Sequence, residues 1–218
     1  EMRWTGERYR RKVMQTAAVI DSMALPLVAL YGVENERVVR DLAAACRGDY
    51  SYLHRTLNTL DGLDFALLYY GDRFFPHRTE PGDRTLYVEG TLGRDTVGLL
   101  LVRDRRMLPW IIGELREERP QVRLLVAGSV TPRDATRWGL HDATARAEEA
   151  GRGTVRSGGR WVMRDRILAD PRLEASRGDV YARRWLVDPS TGDPLRTIDR
   201  QRYRDGYGAS LPVFVYIR

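Results

Sequence analysis

Side chains able to do acid–base, nucleophilic or metal chemistry are few in this sequence and stand far apart. The three histidines are His54, His77 and His141, and none has a spacing that would build a metal site. His141 and Asp142 are neighbours in a predicted helix, so their side chains would point to different faces. Cys46 is the only cysteine, and it lies on an apolar helix face without a basic partner that would favour a thiolate. We therefore predict no catalytic residue, no metal site and no cofactor.

One loop has the position at which α/β sheets commonly bind ligands. Gly128, Ser129 and Thr131 follow a predicted strand over 122–127 and precede a predicted helix. Thr131 can cap that helix, and Asp134 at its third position favours the positive end. Backbone amides at the start of that helix would hold an anion. No Gly-x-Ser-x-Gly sequence surrounds Ser129, so a nucleophile elbow is not predicted. The loop is a candidate anion-binding site, and an ordinary connection between two elements is the alternative.

Arginine supplies nearly all of the positive charge. Lys12 is the only lysine among 36 basic residues. The formal net charge of +6 arises in residues 151–218, which hold 14 arginines against 8 acidic residues. Arginine binds phosphates and stacks on rings better than lysine does, so the excess favours a polyanionic partner. Codon usage in a GC-rich genome would produce the same bias, and a solvated surface would produce the same excess.

A glycine-rich segment over 151–160 concentrates that charge. Arg152, Arg156 and Arg160 alternate with glycines there, and Trp161 follows them. The guanidinium groups would contact phosphates and the indole would stack on a base. These residues are therefore candidates for nucleic-acid binding. A flexible loop before a buried strand is the alternative.

Hydrophobic periodicity predicts the elements around these residues. Helical spacing predicts three N-terminal helices, at 12–31, 34–46 and 49–60. Alternation and short apolar runs predict strands, at 65–70, 84–88, 97–102, 122–127, 160–167, 179–187 and 211–217. The strands at 97–102 and 122–127 flank a predicted helix at 108–115, and the short links predict a parallel pair. Pro26 should kink or split the first helix.

The second predicted helix holds Leu42, the third holds Leu53, Leu57 and Leu60, and Gly48 lies between the two helices. With these elements, residues 20–88 resemble a winged helix-turn-helix module. The spacing is similar to that of bacterial winged-helix regulators. The resemblance implies that the leucines close a three-helix core and that the hairpin over 66–88 is the wing.

The same resemblance implies contact with DNA through the third helix and the wing. Arg55 in the helix and Arg73 in the hairpin would assist in holding phosphates. Asp49, Asp61 and Asp64 make this region less basic than a helix that reads DNA normally is. The module also serves as a dimerisation or packing element, and that alternative stays open.

These patterns together predict an α/β or α+β protein. A helical, winged-helix-like domain is expected over 1–95, and an α/β domain with a mixed sheet is expected over 96–218. No apolar stretch is long enough to span a membrane, so we expect no membrane partner. The lone cysteine suits a reducing compartment, which predicts a cytoplasmic protein.

Three functions are compatible with the sequence. We favour a nucleic-acid-associated, DNA-binding regulatory or accessory protein without catalytic activity over an enzyme. The residues expected to bind nucleic acid are Arg55, Arg73, Arg152, Arg156, Arg160 and Trp161. One alternative is a structural subunit of a larger assembly, such as a phage-like particle, with protein partners or copies of itself. The other is an enzyme that acts on an anionic small molecule at the loop of Ser129.

Overall fold

The chain folds into two β-sheets with helices on their outer faces. The structure is a computed structural model, and it describes residues 4–57, 59–176, 178–199 and 202–217. The α-helices are α1 Gly6–Met23, α2 Glu36–Ala45, α3 Leu108–Glu118, α4 Pro132–Trp138 and α5 Ala145–Glu149. The strands of the two sheets are β1 Leu27–Val33, β2 Ser51–Arg55, β3 Asp64–Tyr69, β4 Phe74–Gly82, β5 Thr85–Leu92, β6 Asp95–Val102, β7 Arg123–Gly128, β8 His141–Asp142 and β11 Arg166–Ala169.

Short strand pairs and single turns of 3-10 helix complete the described chain. The pairs are β9 Val155–Ser157 with β10 Arg160–Val162, β12 Asp179–Val180 with β15 Val213–Phe214, and β13 Ile198–Asp199 with β14 Arg202–Tyr203. The 3-10 turns are Arg105–Met107 and Arg184–Leu186. The strands expected at 160–167, 179–187 and 211–217 are therefore shorter than predicted, because turns and bends interrupt them.

The smaller sheet is antiparallel in the order β1-β3-β2, and its central strand is buried on both faces. Successive side chains of a strand point to opposite faces. Ala66 and Leu68 pack under α1 and α2, whereas Phe65 and Leu67 pack in the core between the sheets. The central position of β3 follows from this sequence, since its residues are apolar on both faces.

The larger sheet has the order β4-β5-β6-β7-β11-β8. Its strands β6 and β7 are parallel and α3 connects them, which confirms the predicted strand–helix–strand unit. Leu99 and Leu101 of β6 face the smaller sheet, whereas Leu100 faces α3 and α4. The protein is therefore a sandwich of two sheets with one helical layer on each outer face.

The prediction of a winged helix is wrong. Residues 51–55 form strand β2 and pair with β3, where a third helix over 49–60 was expected. Leu57 is buried in the core between the sheets and Leu60 is fully exposed, so the leucines do not share one helical face. The strand expected at 65–70 joins the small sheet and that expected at 84–88 joins the large one, so they form no wing. The physical reason is that a leucine every three or four residues also fits a short strand followed by a loop.

Two further features of the chain bear on the sequence-based expectations. Helix α1 ends at Met23, because Ala24 adopts a left-handed conformation and Pro26 follows, and residues 27–33 are a strand. The domain boundary was expected after residue 95, and strand β6 begins at Asp95. Strand β6 pairs with β5 along the full length of both strands. Among the described residues, no helix is long and apolar enough to cross a bilayer.

Candidate active site

The pairing of β6, β7 and β11 brings distant polar residues to one end of the large sheet. Parallel strands end at the same edge, and Val102 at the end of β6 pairs with Gly128 at the end of β7. Strand β11 is antiparallel to β7, so its first residue, Arg166, is also beside Gly128. The residues just outside these three strand ends are Arg103, Ser129 and Asp165. The sheet topology alone therefore places a cation, a hydroxyl and a carboxylate at one edge.

Arg103 connects the ends of both sheets. Its Nη1 lies 3.5 Å from Oγ of Ser129. Its guanidinium carbon lies 5.0 Å from the ring centre of Tyr31 on β1, and that ring is 4.9 Å from the ring of Phe65 on β3. A guanidinium within about 6 Å of an aromatic ring is attracted to its face. The Arg103 side chain is exposed, so it is held in position while remaining accessible to a ligand.

Asp165 is the acidic member of this group. Burial raises the pKa of its carboxyl group above the usual value, and it does so against a hydrogen bond with Ser210 and the charges of Arg103 and Arg164. The backbone amide of Asp165 donates to Oγ1 of Thr154 at 3.3 Å, which fixes the chain just before β11. Asp165 therefore keeps its proton to a higher pH than an exposed aspartic acid.

The loop after β7 has a geometry that only glycine permits at its first position. Gly128 has a φ of +123°, and an added Cβ atom would lie 2.1 Å from the carbonyl oxygen of Val102. The amide of Ser129 donates to that same oxygen at 2.9 Å. Glycine at this position allows the ends of β6 and β7 to approach closely, which places Ser129 beside Arg103.

The backbone amides of the loop already have acceptors within the protein. The amide of Val130 donates to Gly128, and the amide of Thr131 donates to Oδ2 of Asp134 at 2.8 Å. Thr131 and Asp134 form the capping box that the sequence predicts at the start of α4. An anion at this loop would therefore meet side chains rather than amides. The side chains available are the hydroxyl of Ser129 and the guanidinium groups of Arg103 and Arg105.

Arg105 extends the cationic edge beyond Ser129. Its Nη1 lies 3.4 Å from Oγ1 of Thr131 and 3.6 Å from Oδ2 of Asp134. The predicted anion-binding residues Gly128, Ser129 and Thr131 are thus brought beside two arginines. That they bind an anion stays a prediction.

The residues predicted to bind nucleic acid are not gathered on one surface. Arg55 lies at the same end of the small sheet as Tyr31, because both residues pair with Phe65 of the central strand. Arg73 lies beyond the far end of β3, with its Nε 3.7 Å from Asp72. Arg55 is therefore at the rim of the candidate site, and Arg73 is remote from it.

The arginines of the glycine-rich segment have internal partners. Arg152 forms an ion pair with Asp179 at 2.7 Å, and Arg156 donates to the carbonyl oxygens of Gly159 and Thr191. The guanidinium of Arg156 also lies 5.9 Å from the ring centre of Trp161, which packs against a hydrophobic cluster. Arg160 is exposed at the start of β10. Part of the positive charge that favoured a polyanion is therefore neutralised within the fold.

The remaining titratable candidates have structural partners of their own. His54 is 3.0 Å from Asp64, and His77 is 3.0 Å from the buried Glu89. Burial raises the pKa of Cys46 to about 11, so its thiol stays protonated near neutral pH. In the part of the chain that the structure describes, no three His, Cys, Asp or Glu side chains come together as a metal site.

Sequence reasoning missed Arg103, Asp165, Tyr31 and Ser210. Arg103 had a usable signal, because it directly follows a predicted parallel strand, as Ser129 does. No sequence signal indicated Asp165, because its position depends on which strand pairs antiparallel with β7. Tyr31 belongs to the other sheet, and Ser210 comes from the C-terminal segment.

This sandwich of two helix-covered sheets is a fold that other proteins of known structure share. The model of the endonuclease/exonuclease/phosphatase family matches residues 1–97. The whole chain superposes on solved structures of this class with low sequence identity, which shows that it shares their fold. No curated protein matches the chain.

Three of these structures illustrate the similarity. An endonuclease/exonuclease/phosphatase from Bacteroides vulgatus gives a TM-score of 0.69 at 14% identity, covering 96% of this chain and 91% of that one. The mannosyl-6-phosphatase of Bacteroides thetaiotaomicron VPI-5482 gives 0.64 at 13% identity, covering 96% and 91%. A D. rerio TDP2 humanized by 14 mutations gives 0.65 at 11% identity, covering 98% and 94%.

These similarities overturn the favoured function of the sequence analysis. The family match covers the whole segment that resembled a winged helix, and the solved structures span nearly the whole chain. A DNA-binding regulatory protein without catalytic activity is therefore the wrong interpretation, and so is the preference for a protein that is not an enzyme. The alternative of a structural subunit receives no support from these matches.

Proposed function

We propose that this protein is a hydrolase that acts on phosphate esters at the edge formed by Arg103, Ser129 and Asp165. The observation that carries the proposal is the meeting of these three side chains at adjoining strand ends. The similarity of residues 1–97 to the endonuclease/exonuclease/phosphatase family supports the same class of substrate. Phosphate esters are anionic, so the proposal partly fits the alternative of an enzyme that acts on an anionic small molecule.

Arg103 and Ser129 are suited to hold the phosphoryl group. A guanidinium offers two parallel N–H donors that match two phosphate oxygens, and a hydroxyl offers one further donor. The stacking of Arg103 on Tyr31 limits the rotamers of the guanidinium before substrate arrives. A donor that is already oriented stabilises the charge that develops on the phosphoryl oxygens without further reorganisation.

Asp165 is suited to transfer a proton. Burial raises the pKa of its carboxyl group, so Asp165 holds the proton that a leaving oxygen would take to a higher pH than an exposed aspartic acid does. The hydrogen bond with Ser210 orients the carboxyl group. Ser210 is thus a positioning residue, whereas Asp165 contacts the reacting atoms.

Hydrolysis of phenyl phosphate and diphenyl phosphate by the full chain tests the proposal, because their phenolate leaving group is basic enough to need a proton donor. Arg103→Gln and Asp165→Asn should each lower kcat/KM by about a hundredfold or more, the range for loss of an oriented donor or a general acid. Arg73→Gln is the matched control, because Arg73 is an exposed arginine at the opposite end of the small sheet. Equal rates in all four proteins, or no hydrolysis by the wild type, would contradict the proposal.

A further inference from the structure

Four carboxylates lie near the residues of the candidate site, those of Asp64, Asp104, Asp134 and Asp165, and their surroundings bear on how a phosphate group is bound there. Phosphatases and nucleases commonly hold divalent cations that clamp the phosphoryl oxygens. Such hard cations need several oxygen ligands, including ionised carboxylates. The fit of this site to a cation can therefore be judged from its donor atoms.

Asp134 contacts Arg105, Asp104 lies between the two arginines of the site in the sequence, and both carboxylates are engaged. Oδ2 of Asp134 accepts from the amide of Thr131 at 2.8 Å and from its hydroxyl at 2.7 Å. Asp104 accepts from the amide of Arg106 at 3.1 Å and from its Nε at 2.8 Å. A cation would have to displace the cap of α4 or the ion pair of the 3-10 turn.

Asp64, at the same end of the small sheet, is also occupied. It is buried, its Oδ1 accepts from the amide of Leu57 at 2.9 Å, and its Oδ2 lies 3.0 Å from Nε2 of His54. Removing these partners would leave a buried amide without an acceptor, at a cost of about 1–3 kcal/mol. Asp64 is therefore a structural carboxylate.

Asp165 remains as the carboxylate beside the ligand position, and its surroundings disfavour a cation. Arg103 and Arg164 already act on it as positive charges, and burial opposes its ionisation. A metal ligand must be deprotonated, and a second cation beside a guanidinium is repelled. Consistent with this, no group of three potential metal ligands occurs among residues 4–57, 59–176, 178–199 and 202–217. The donor set does not fit the cation that such chemistry commonly uses.

We infer that this site binds a phosphate group through Arg103, Arg105 and the hydroxyl of Ser129, without a divalent cation. The inference rests on the proposed function, since it concerns the same site. The arginines take the electrostatic role that a cation has elsewhere: each carries a fixed positive charge, and Arg103 is already oriented by Tyr31. The hydroxyl of Ser129, 3.5 Å from Arg103, adds a donor on the same side.

Calorimetric titration of the full chain with inorganic phosphate tests the inference. The dissociation constant should agree within about twofold between EDTA and excess Mg²⁺, and Arg103→Gln should weaken binding about tenfold or more in both conditions. Arg73→Gln should bind as the wild type does. Tenfold tighter binding with Mg²⁺, or no phosphate binding in EDTA, would overturn the inference.

A second measurement follows the cation itself. Electron paramagnetic resonance of free Mn²⁺ should show no stoichiometric uptake by the protein, with or without phosphate. Uptake of one Mn²⁺ per chain that Asp165→Asn abolishes would overturn the inference. Phosphate binding in EDTA without hydrolysis of any ester would leave it intact and contradict the proposed hydrolase. Hydrolysis that requires a cation would overturn the inference and support the proposed hydrolase.

Discussion

Nη1 of Arg103 lies 3.5 Å from the hydroxyl oxygen of Ser129, although 26 residues separate the two in the sequence. The contact exists because β6 and β7 are parallel, so that both residues follow strands ending at the same edge. The helix α3 that separates them in sequence lies on the outer face of the sheet. A phosphate group at this edge would contact both side chains at once.

Arg103 and Ser129 should contribute to phosphate binding as a coupled pair. We expect Ser129→Ala to weaken phosphate binding by about three- to tenfold, since one neutral donor is lost. The double variant with Arg103→Gln should lose less than the sum of the single effects, with a coupling energy of about 0.5–3 kcal/mol. Calorimetric dissociation constants for the four proteins give this value. Strict additivity would show that the two side chains do not share a ligand.

Asp165→Asn should stabilise the fold in a pH-dependent way. The pKa of Asp165 is raised in the folded state, chiefly by burial, so ionisation costs stability as the pH rises above its unfolded value of about 3.9. The variant avoids that cost. Its advantage in the free energy of unfolding should be small near pH 4 and larger at pH 7. Urea denaturation across this range measures it, and an advantage that shrinks with rising pH would contradict the assignment.

The same substitution separates binding from proton transfer. Phosphate binding should be retained, and should tighten as the pH rises, because asparagine never places the negative charge of an ionised Asp165 opposite the ligand. Hydrolysis should fall at the same time, because the proton donor is lost. A variant that loses both binding and hydrolysis would place Asp165 in a structural role.

Gly128→Ala should destabilise the fold far more than a glycine-to-alanine change in an open turn does. Its φ of +123° and the 2.1 Å approach to the Val102 carbonyl oxygen leave no room for a methyl group. We expect a loss of about 3 kcal/mol or more in the free energy of unfolding, with weaker phosphate binding because Ser129 shifts. Gly93→Ala is the control: Gly93 has a φ of +63° with nothing within 4 Å, and should cost about 1 kcal/mol. Similar losses from both changes would rule out close approach as the cause.

Lys12 should titrate near pH 8 in the folded protein. Burial lowers the pKa of its ammonium group to about 8, and its Nζ donates to the carbonyl oxygen of Tyr207. The neighbouring Gln15 and Arg11 bind Asp205, so α1 holds the segment that leads to Ser210. Lys12 is the only lysine, so ¹³C-dimethylation gives one lysine signal whose shift against pH reports the pKa. An ordinary value near 10.4 would show that the amine is solvated.

The lowered pKa of Lys12 should also make the free energy of unfolding depend on pH. Because the folded pKa of Lys12 is below the unfolded value of about 10.4, the unfolded chain binds more protons between about pH 8 and 10. This residue should therefore make the free energy of unfolding rise with pH in that range. Lys12→Met should show a smaller rise, measured by urea denaturation at pH 8 and 10.

Local patterns in the sequence were sufficient for several elements of this protein. The apolar run over 97–102, the helical spacing after it and the strand over 122–127 predicted the parallel crossover. Thr131 and Asp134 predicted the capping box that begins α4. The individual strands, the helix and its cap depend on residues within a few positions of one another, so local sequence specifies them. The short links between these elements then favour the parallel pairing. The candidate anion-binding loop after β7 was inferred from the same crossover, and ligand binding there stays a prediction.

Sequence patterns that are compatible with both a helix and a strand were misinterpreted. The leucines at 53, 57 and 60 fit a helix, but residues 51–55 pair with β3 and Leu60 points to solvent. Pairing with a strand that is apolar on both faces outweighs the weak helical preference of so short a segment. The winged-helix interpretation failed for this reason, and the function inferred from it failed with it.

The candidate site itself was decided by tertiary structure. Arg103, Ser129 and Asp165 come together through strand pairings over tens of residues, and Tyr31 reaches them from the second sheet. The folding of remote segments also places Asp179 against Arg152, which neutralises part of its charge. The linear sequence determined which charges the chain carries and which local elements it forms. Which charges are neutralised and which remain exposed at a shared edge depends on distances between remote segments, and packing of the two sheets sets those distances.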